Sequence, residues 1–349
     1  MLSRRLFRFC TVFFVGFLIV GLVACDGENA AQNTDEIVVY TSRKEHLIKP
    51  LFDRFTKETG IQIRYITDSA GPLLARIQAE GENSPADILM TVDAGNLWQA
   101  KEAGILRPMD SKILLEDVPA HLRDPQEYWV SLTIRARTIV YSTERVKPEE
   151  LGTYADLADP KWSGRLCLRT SKKVYNQSLV ATMIVALGEE KTQQIVNGWV
   201  ENLALEPFAN DVMVMEAIMA GQCDVGLVNT YYFGRMQADD PSIPLALFWA
   251  DQSGEGVAAR GVHVNVSGAG VTKYARHPAR AQQLIEWLSG VEAQEVLMSL
   301  NLEYPVNPAV KLLPQLVNWG EFKPDPINVS EAGRLQAEAV KLMDRAGYH

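Results

Sequence analysis

The segment NTYYFGRM, Asn229 to Met236, sets two phenols side by side at Tyr231 and Tyr232. Side chains alternate along a strand, so both can reach one target only where a strand has ended and the backbone turns. The preceding CDVGLV is strand-like, which makes the pair either a site at a strand end or an aromatic packing pair. Other reactive groupings are sparse. Neither G-x-S-x-G nor H-E-x-x-H occurs, and the five histidines are scattered with no supporting Ser/His/Asp set. Asp156 and Asp159, near Tyr154, form no evident acid–base pair. An exported hydrolase, the rival reading of a different class, therefore lacks machinery, and the chain reads as a non-enzyme.

Elements on either side must position such a pair. From Glu36 short apolar runs alternate with amphipathic segments: EIVVYT, LIKPLFDRFTKETG, IQIRYIT, GPLLARIQAEG, ADILMTV and AGNLWQAKEAG. Leu47, Ile48, Leu51, Phe52 and Phe55 recur at helical spacing before Gly60, whereas IQIRYI alternates as a strand does. This β-α-β-α-β order predicts a parallel sheet covered by helices on both faces, with ligands gathered at the carboxyl ends of its strands. EIVVYT delivers Arg43, Lys44, Glu45 and His46 to that edge, and ADILMTV delivers Asp93. WVSLTIRARTIVYS predicts a long β-rich stretch, and SKKVYNQSLVATMIVALG and NDVMVMEAIMAGQ predict helices ahead of the strand CDVGLVNT. GVHVNVSGAGVTKYA then returns to the first unit, under paired helices in PARAQQLIEWLSGVEAQEVLMSL. The expected fold class is α/β, a clamshell of two lobes joined by hinge strands. Residues 36–136 with 261–310 form the first lobe, and 137–260 with 311–349 the second. Closure of such a clamshell around a ligand is a conformational signal. Tyr40, Tyr65 and Tyr141, inside strand-like runs, are read as core.

The first 24 residues place Arg4, Arg5 and Arg8 before an apolar run from Phe9 to Ala24, the order of an export signal. The run ends in LVAC, which resembles the lipobox of bacterial lipoproteins, so Cys25 is the expected lipidation site and membrane tether. Asp26 follows it, which in lipoproteins implies retention at the inner membrane, facing the periplasm. DGENAAQNTDE, through residue 35, is polar and reads as a flexible tether. Removing residues 1–24 takes the formal charge from −9 to −12. An acidic chain with no basic run beyond its signal has no electrostatic claim on nucleic acid, and it can attract a cation. Cys167 and Cys223 are left either to pair in an oxidising compartment or to stand as two buried thiols.

Five segments together, YTSRKEHLIKPLFDRFTKETGI, SPADILMTVDAGNLWQAKEAGIL, DPKWSGRL, VYNQSLVA and NTYYFGR, resemble the ferric-ion-binding proteins of bacterial ABC iron importers. VYNQS with NTYY is the discriminating combination. The resemblance implies the type II binding-protein fold and iron ligation by Tyr175, Tyr231 and Tyr232. Ferric ion is a small, hard, trivalent acid matched by the hard anionic oxygen of a phenolate. It also implies a permease and its ATPase as partners, a monomeric carrier, and ferric cargo with ferrous iron left open.

One departure stands out. Where many members carry a histidine, sometimes followed by a tyrosine, after the YTSR-like segment, this chain has Lys44 and Glu45, with His46 next. Glu45 and His46 are thus the first-lobe ligand candidates. Three phenolates already balance a ferric ion, so a fourth anionic ligand calls for a nearby cation. Arg43, Arg135 and Arg235 are the candidates, with water or a small anion completing the coordination sphere. The alternative is the same fold holding an oxyanion or a polyamine.

Overall fold

The computed structural model describes residues 36–254 and 256–349; the export signal, Cys25 and the tether lie outside the described residues. Nine strands run β1 Glu36–Thr41, β2 Gln62–Thr67, β3 Ile88–Val92, β4 Val130–Ser142, β5 Leu166–Cys167, β6 Val225–Asn229, β7 Leu245–Phe248, β8 Val264–Val271 and β9 Tyr304–Pro305. The helices of the first half are α1 Glu45–Thr59, α2 Ala70–Glu80, α3 Ala94–Glu102 and α4 Lys112–Asp117. Those that follow are α5 Val174–Leu187, α6 Glu189–Glu201, α7 Asp211–Met219, α8 Thr230–Asp239, α9 Pro278–Ser289, α10 Val291–Asn301, α11 Pro314–Asn318, α12 Glu331–Arg334 and α13 Gln336–Arg345.

The periodicities translate directly into these elements. In α1 the five apolar residues at helical spacing are the buried ones, and Gly60, at φ 79°, ends the helix by donating its N–H to the Thr56 carbonyl. The strand order is β2-β1-β3-β8-β4-β6-β5, with β7 and β9 also paired to β4. The sheet is mixed rather than parallel: β1 pairs parallel with β2 and β3, and β5 with β6, while β8 enters antiparallel between β3 and β4. A returning strand can insert wherever its apolar faces fit both neighbours, and a local β-α-β pattern does not reveal it.

β4 is the shared beam. Its first half, Val130 to Ala136, pairs with β8, and its second half, Arg137 to Tyr141, pairs with β6. Two main apolar cores sit on either side of that change of partner. One gathers residues from Ile37 to Leu132 and from Val264 to Val306; the other gathers residues from Ile139 to Ala250 and from Ala339 to Tyr348. Tyr40 and Tyr141 are buried as expected of core tyrosines, whereas Tyr65 is half-buried and donates its hydroxyl to Glu45.

A buried ion pair locks the junction below the tyrosines. Arg137 and Asp211 have side chains only 2% and 0% exposed and meet at 3.1 Å. Arg137 Nε donates to Asn176 Oδ1 at 2.7 Å, Nη1 to Asn229 Oδ1 at 3.1 Å and Nη2 to the Leu227 carbonyl at 3.0 Å. Asp211 also accepts from Arg169 Nη1 at 3.1 Å and from the Asn229 N–H at 2.9 Å. Every element that carries a tyrosine of interest is thereby tied to β4. A second tie is covalent: Cys167 in β5 and Cys223, ahead of β6, form a disulfide.

Two outcomes follow from these ties. Asp211→Ala leaves Arg137 as an uncompensated buried charge and should destabilise the protein by about 3–5 kcal/mol in urea unfolding. The double substitution C167A/C223A opens a loop of 56 residues and should lower stability by roughly 2–4 kcal/mol in the same measurement.

Candidate metal centre

Asn229 ends β6 and Thr230 starts α8, so Tyr231 and Tyr232 occupy the first helical turn immediately beyond the strand. A helical turn lets consecutive side chains lie near one another where a strand forbids it. Their ring centroids are 4.4 Å apart with a 35° tilt. Tyr175 lies in the first turn of α5, next to the anchored Asn176, and Tyr231 Oη donates to Tyr175 Oη at 3.3 Å. Asn229 Nδ2 in turn donates to Tyr231 Oη at 3.4 Å. Two helix starts thus bring three phenols to one cavity of about 160 Å³.

The wall of this cavity opposite the tyrosines includes Ser42, Arg43, Lys44, Val92, Asn301 and Glu303. Arg43 is buried, and its Nη1 donates to Ser267 Oγ at 2.7 Å and to Glu303 Oε2 at 2.9 Å. Arg135, on β4, donates to the Val266 carbonyl and lies 5.6 Å from the Tyr175 ring centroid. Arg235 is exposed and stands 5.1 and 4.9 Å from the Tyr231 and Tyr232 rings, close enough for cation–π attraction. Among the described residues, Arg43 Nε and Nη2 and Arg135 Nε are buried with no hydrogen-bond partner. Such donors favour an anion or water nearby.

Burial pushes the Tyr231 hydroxyl well above the ordinary phenol value, and the Tyr175 and Tyr232 oxygens add to the rise. Burial also raises Tyr175, against the opposing pull of Arg135. Burial disfavours the Glu303 charge too, but Arg43 and Arg135 outweigh it and hold the carboxyl below its usual value. The lining is therefore cationic, with arginines at 43, 135 and 235 and a lysine at 44 facing a single carboxylate among the described residues.

The residues expected from the sequence divide cleanly. Tyr175, Tyr231, Tyr232, Arg43, Arg135 and Arg235 meet at the cavity. Glu45 and His46 do not. Both are exposed on the solvent side of the α1 start, and Glu45 accepts the Tyr65 hydroxyl at 2.8 Å. The helix turns them outward because its buried face is fixed by Leu47, Ile48 and Leu51. Asp93 is fully buried as the cap of α3, with Oδ2 accepting from Ser178 Oγ at 2.8 Å and Asn265 Nδ2 at 2.7 Å. It is a structural tie between α3 and α5 rather than a member of the cavity wall. Three members of the site went unread in the sequence: Glu303, Asn301 and Arg169, the last 4.9 Å from the Tyr175 ring. Glu303 and Asn301 lie more than sixty residues beyond the tyrosine pair, and only the fold brings them there. A larger cavity of about 450 Å³, lined by Ile134, Val264, Tyr304, Val310, Leu316 and Phe322 among others, is mostly apolar. It lacks the hard oxygen set that a small trivalent cation requires.

Known proteins share this arrangement of elements. Residues 83–324 match the family of bacterial extracellular solute-binding proteins. The chain is 43% identical over 362 residues to iron uptake protein A1 of Synechocystis sp., with 99% of each chain covered. It is 28% identical to the Fe(3+)-binding periplasmic protein of Serratia marcescens, covering 95% of this chain and 96% of that one. The Trichodesmium protein FutA (IdiA), solved in complex with iron and citrate ligands, superposes with a TM-score of 0.85 at 42% identity, covering 90% of this chain and all of that one. The structural relatives carry the two-lobed type II periplasmic fold expected from the sequence. The chain therefore belongs to the bacterial extracellular solute-binding protein family, in its branch of ferric-iron-binding proteins with the type II periplasmic fold.

Proposed function

We propose that this protein captures ferric iron outside the cytoplasm through the phenolate oxygens of Tyr175, Tyr231 and Tyr232 and delivers it to an ABC importer. The observation that carries this reading is the convergence of three phenols from two helix starts, with Tyr231 Oη 3.3 Å from Tyr175 Oη and the Tyr232 ring tilted against that of Tyr231. Three phenolates carry the charge that neutralises one Fe(III), and hard anionic oxygens favour ferric over ferrous ion. Arg43, Arg135 and Arg235 then balance a further anionic ligand, for which a small anion or water completes the coordination sphere. Glu45 and His46 take no part, since both face solvent.

The cationic lining also separates this reading from its rivals. A polyamine would meet three arginines and a lysine against one carboxylate and be repelled. An oxyanion fits as the companion of iron, held by the unpartnered arginine donors, rather than as the cargo. On this reading the protein is a carrier, not an enzyme. The lobes comprise residues 36–136 with 261–310 and residues 137–260 with 311–349. They close on the metal as a monomer, and the closed form is what the permease and its ATPase engage. The signal-like N-terminus supports lipidation at Cys25 and anchoring at the periplasmic face of the inner membrane.

Titration with ferric citrate, followed in the visible, tests the ligand set. The wild type should develop a phenolate-to-iron charge-transfer band. Tyr231→Phe and Tyr232→Phe should lose or shift that band and weaken iron retention by at least about a hundredfold, more than loss of a supporting residue would. Glu45→Ala should leave both nearly unchanged. A wild type that stays colourless and retains no iron contradicts the reading.

The pH dependence has a definite sign. Burial keeps Tyr175 and Tyr231 protonated, so iron must displace their protons, and raising the pH favours binding. Potentiometric loading near neutral pH should release about two to three protons per iron taken from a fully deprotonated ferric chelate. Retention should fall steadily as the pH drops from about 8 to 6. Retention independent of pH over that range would exclude neutral phenols as the ligand precursors.

A further inference from the structure

Glu303 is the single carboxylate lining the tyrosine cavity. Its side chain is 2% exposed, and the next residues, Tyr304 and Pro305, pair with Ile134 and Thr133 of β4, so its backbone is held beside Arg135. Both carboxylate oxygens are committed: Oε2 accepts from Arg43 Nη1 at 2.9 Å and Oε1 from Asn301 Nδ2 at 3.0 Å. Asn301 Oδ1 accepts from Arg235 Nη1 at 2.7 Å, and the Arg235 guanidinium stands over the rings of Tyr231 and Tyr232. An unbroken polar chain thus runs from Arg43, just past β1, to Arg235 in the middle of α8.

The contact between α8 and this segment is close-fitting. A Cβ placed on Gly234, the neighbour of Arg235, would fall 2.8 Å from Leu302 Cδ1 and 2.6 Å from the Trp319 ring. Only glycine lets α8 approach the residue that lies between Asn301 and Glu303. The first-lobe acid that the sequence offers, Glu45, faces the other way.

We propose that Glu303 is the first-lobe positioning residue of the iron site, holding Arg43 directly and Arg235 through Asn301 so that the tyrosine pair is registered against the first lobe without a first-lobe metal ligand. This inference rests on the ferric reading above. Removing the carboxylate charge leaves Arg43 and Arg135 as uncompensated cations facing a trivalent ion, and removing Asn301 frees Arg235 from the same chain.

The test uses ferric-citrate-loaded wild type, Glu303→Gln, Asn301→Ala and the double variant, challenged with excess chelator while the charge-transfer band is followed. Glu303→Gln and Asn301→Ala should each release iron roughly tenfold faster or more, because each removes a charge-assisted hydrogen bond from one chain. Each should also shift the band. The double variant should release iron within about twofold of the faster single variant, since two breaks in one chain do not add. Asn301→Ala leaves the Arg43–Glu303 pair intact, so the test survives a Glu303 variant that fails to fold. Release rates within about twofold of wild type, or single effects that multiply in the double variant, overturn the proposal. A wild type that develops no band overturns the ferric reading itself, and this inference with it.

Discussion

The site depends on one buried charge pair. Arg137 and Asp211 are placed where water cannot solvate them, and an isolated ion there would be too unfavourable to persist. Their hydrogen-bonding capacity has to be met by nearby groups, and the groups that meet it begin or end the functional elements. Asn176 follows Tyr175, Asn229 closes β6 before the tyrosine pair, and Arg169 reaches Asp211 from beside the Tyr175 ring. Satisfying the ion pair therefore fixes two helix starts against β4. The tyrosines inherit their positions from that requirement.

Electrostatics complete the design. Burial keeps the Tyr175 and Tyr231 hydroxyls protonated amid several cations, so on the proposed reading the metal's own charge is what turns them into ligands. On the same reading, the excess positive charge of the lining discourages monovalent and organic cations and favours an anion beside the metal. Glu303 moderates this field from the cavity wall, and its own charge is sustained by Arg43 and Arg135. On that reading, selectivity for a hard trivalent ion comes from the combination rather than from any single ligand.

Much of this was legible in the chain. The apolar spacing of α1, the alternation of β2 and the position of Tyr231 and Tyr232 just past a strand follow from local periodicity, and the structure bears them out. The family resemblance brought Tyr175 to the same place. What escaped was decided by tertiary pairing. The antiparallel insertion of β8 leaves no local trace, and Glu303 reaches Arg43 across 260 residues of sequence. Glu45 illustrates the same limit: its type suits a metal, but the rotation of α1 is set by the residues that helix buries. The Cys167–Cys223 bridge likewise required knowing that β5 lies beside β6.

Anomalous diffraction at the iron edge, from crystals of the ferric-loaded protein, tests the central claim most directly. The account predicts a single strong peak within bonding distance of the hydroxyl oxygens of Tyr175, Tyr231 and Tyr232, with Arg43, Arg135 and Arg235 around it and Glu45 and His46 outside its coordination sphere. A peak elsewhere, or one coordinated by Glu45 or His46 in place of a tyrosine, would contradict it.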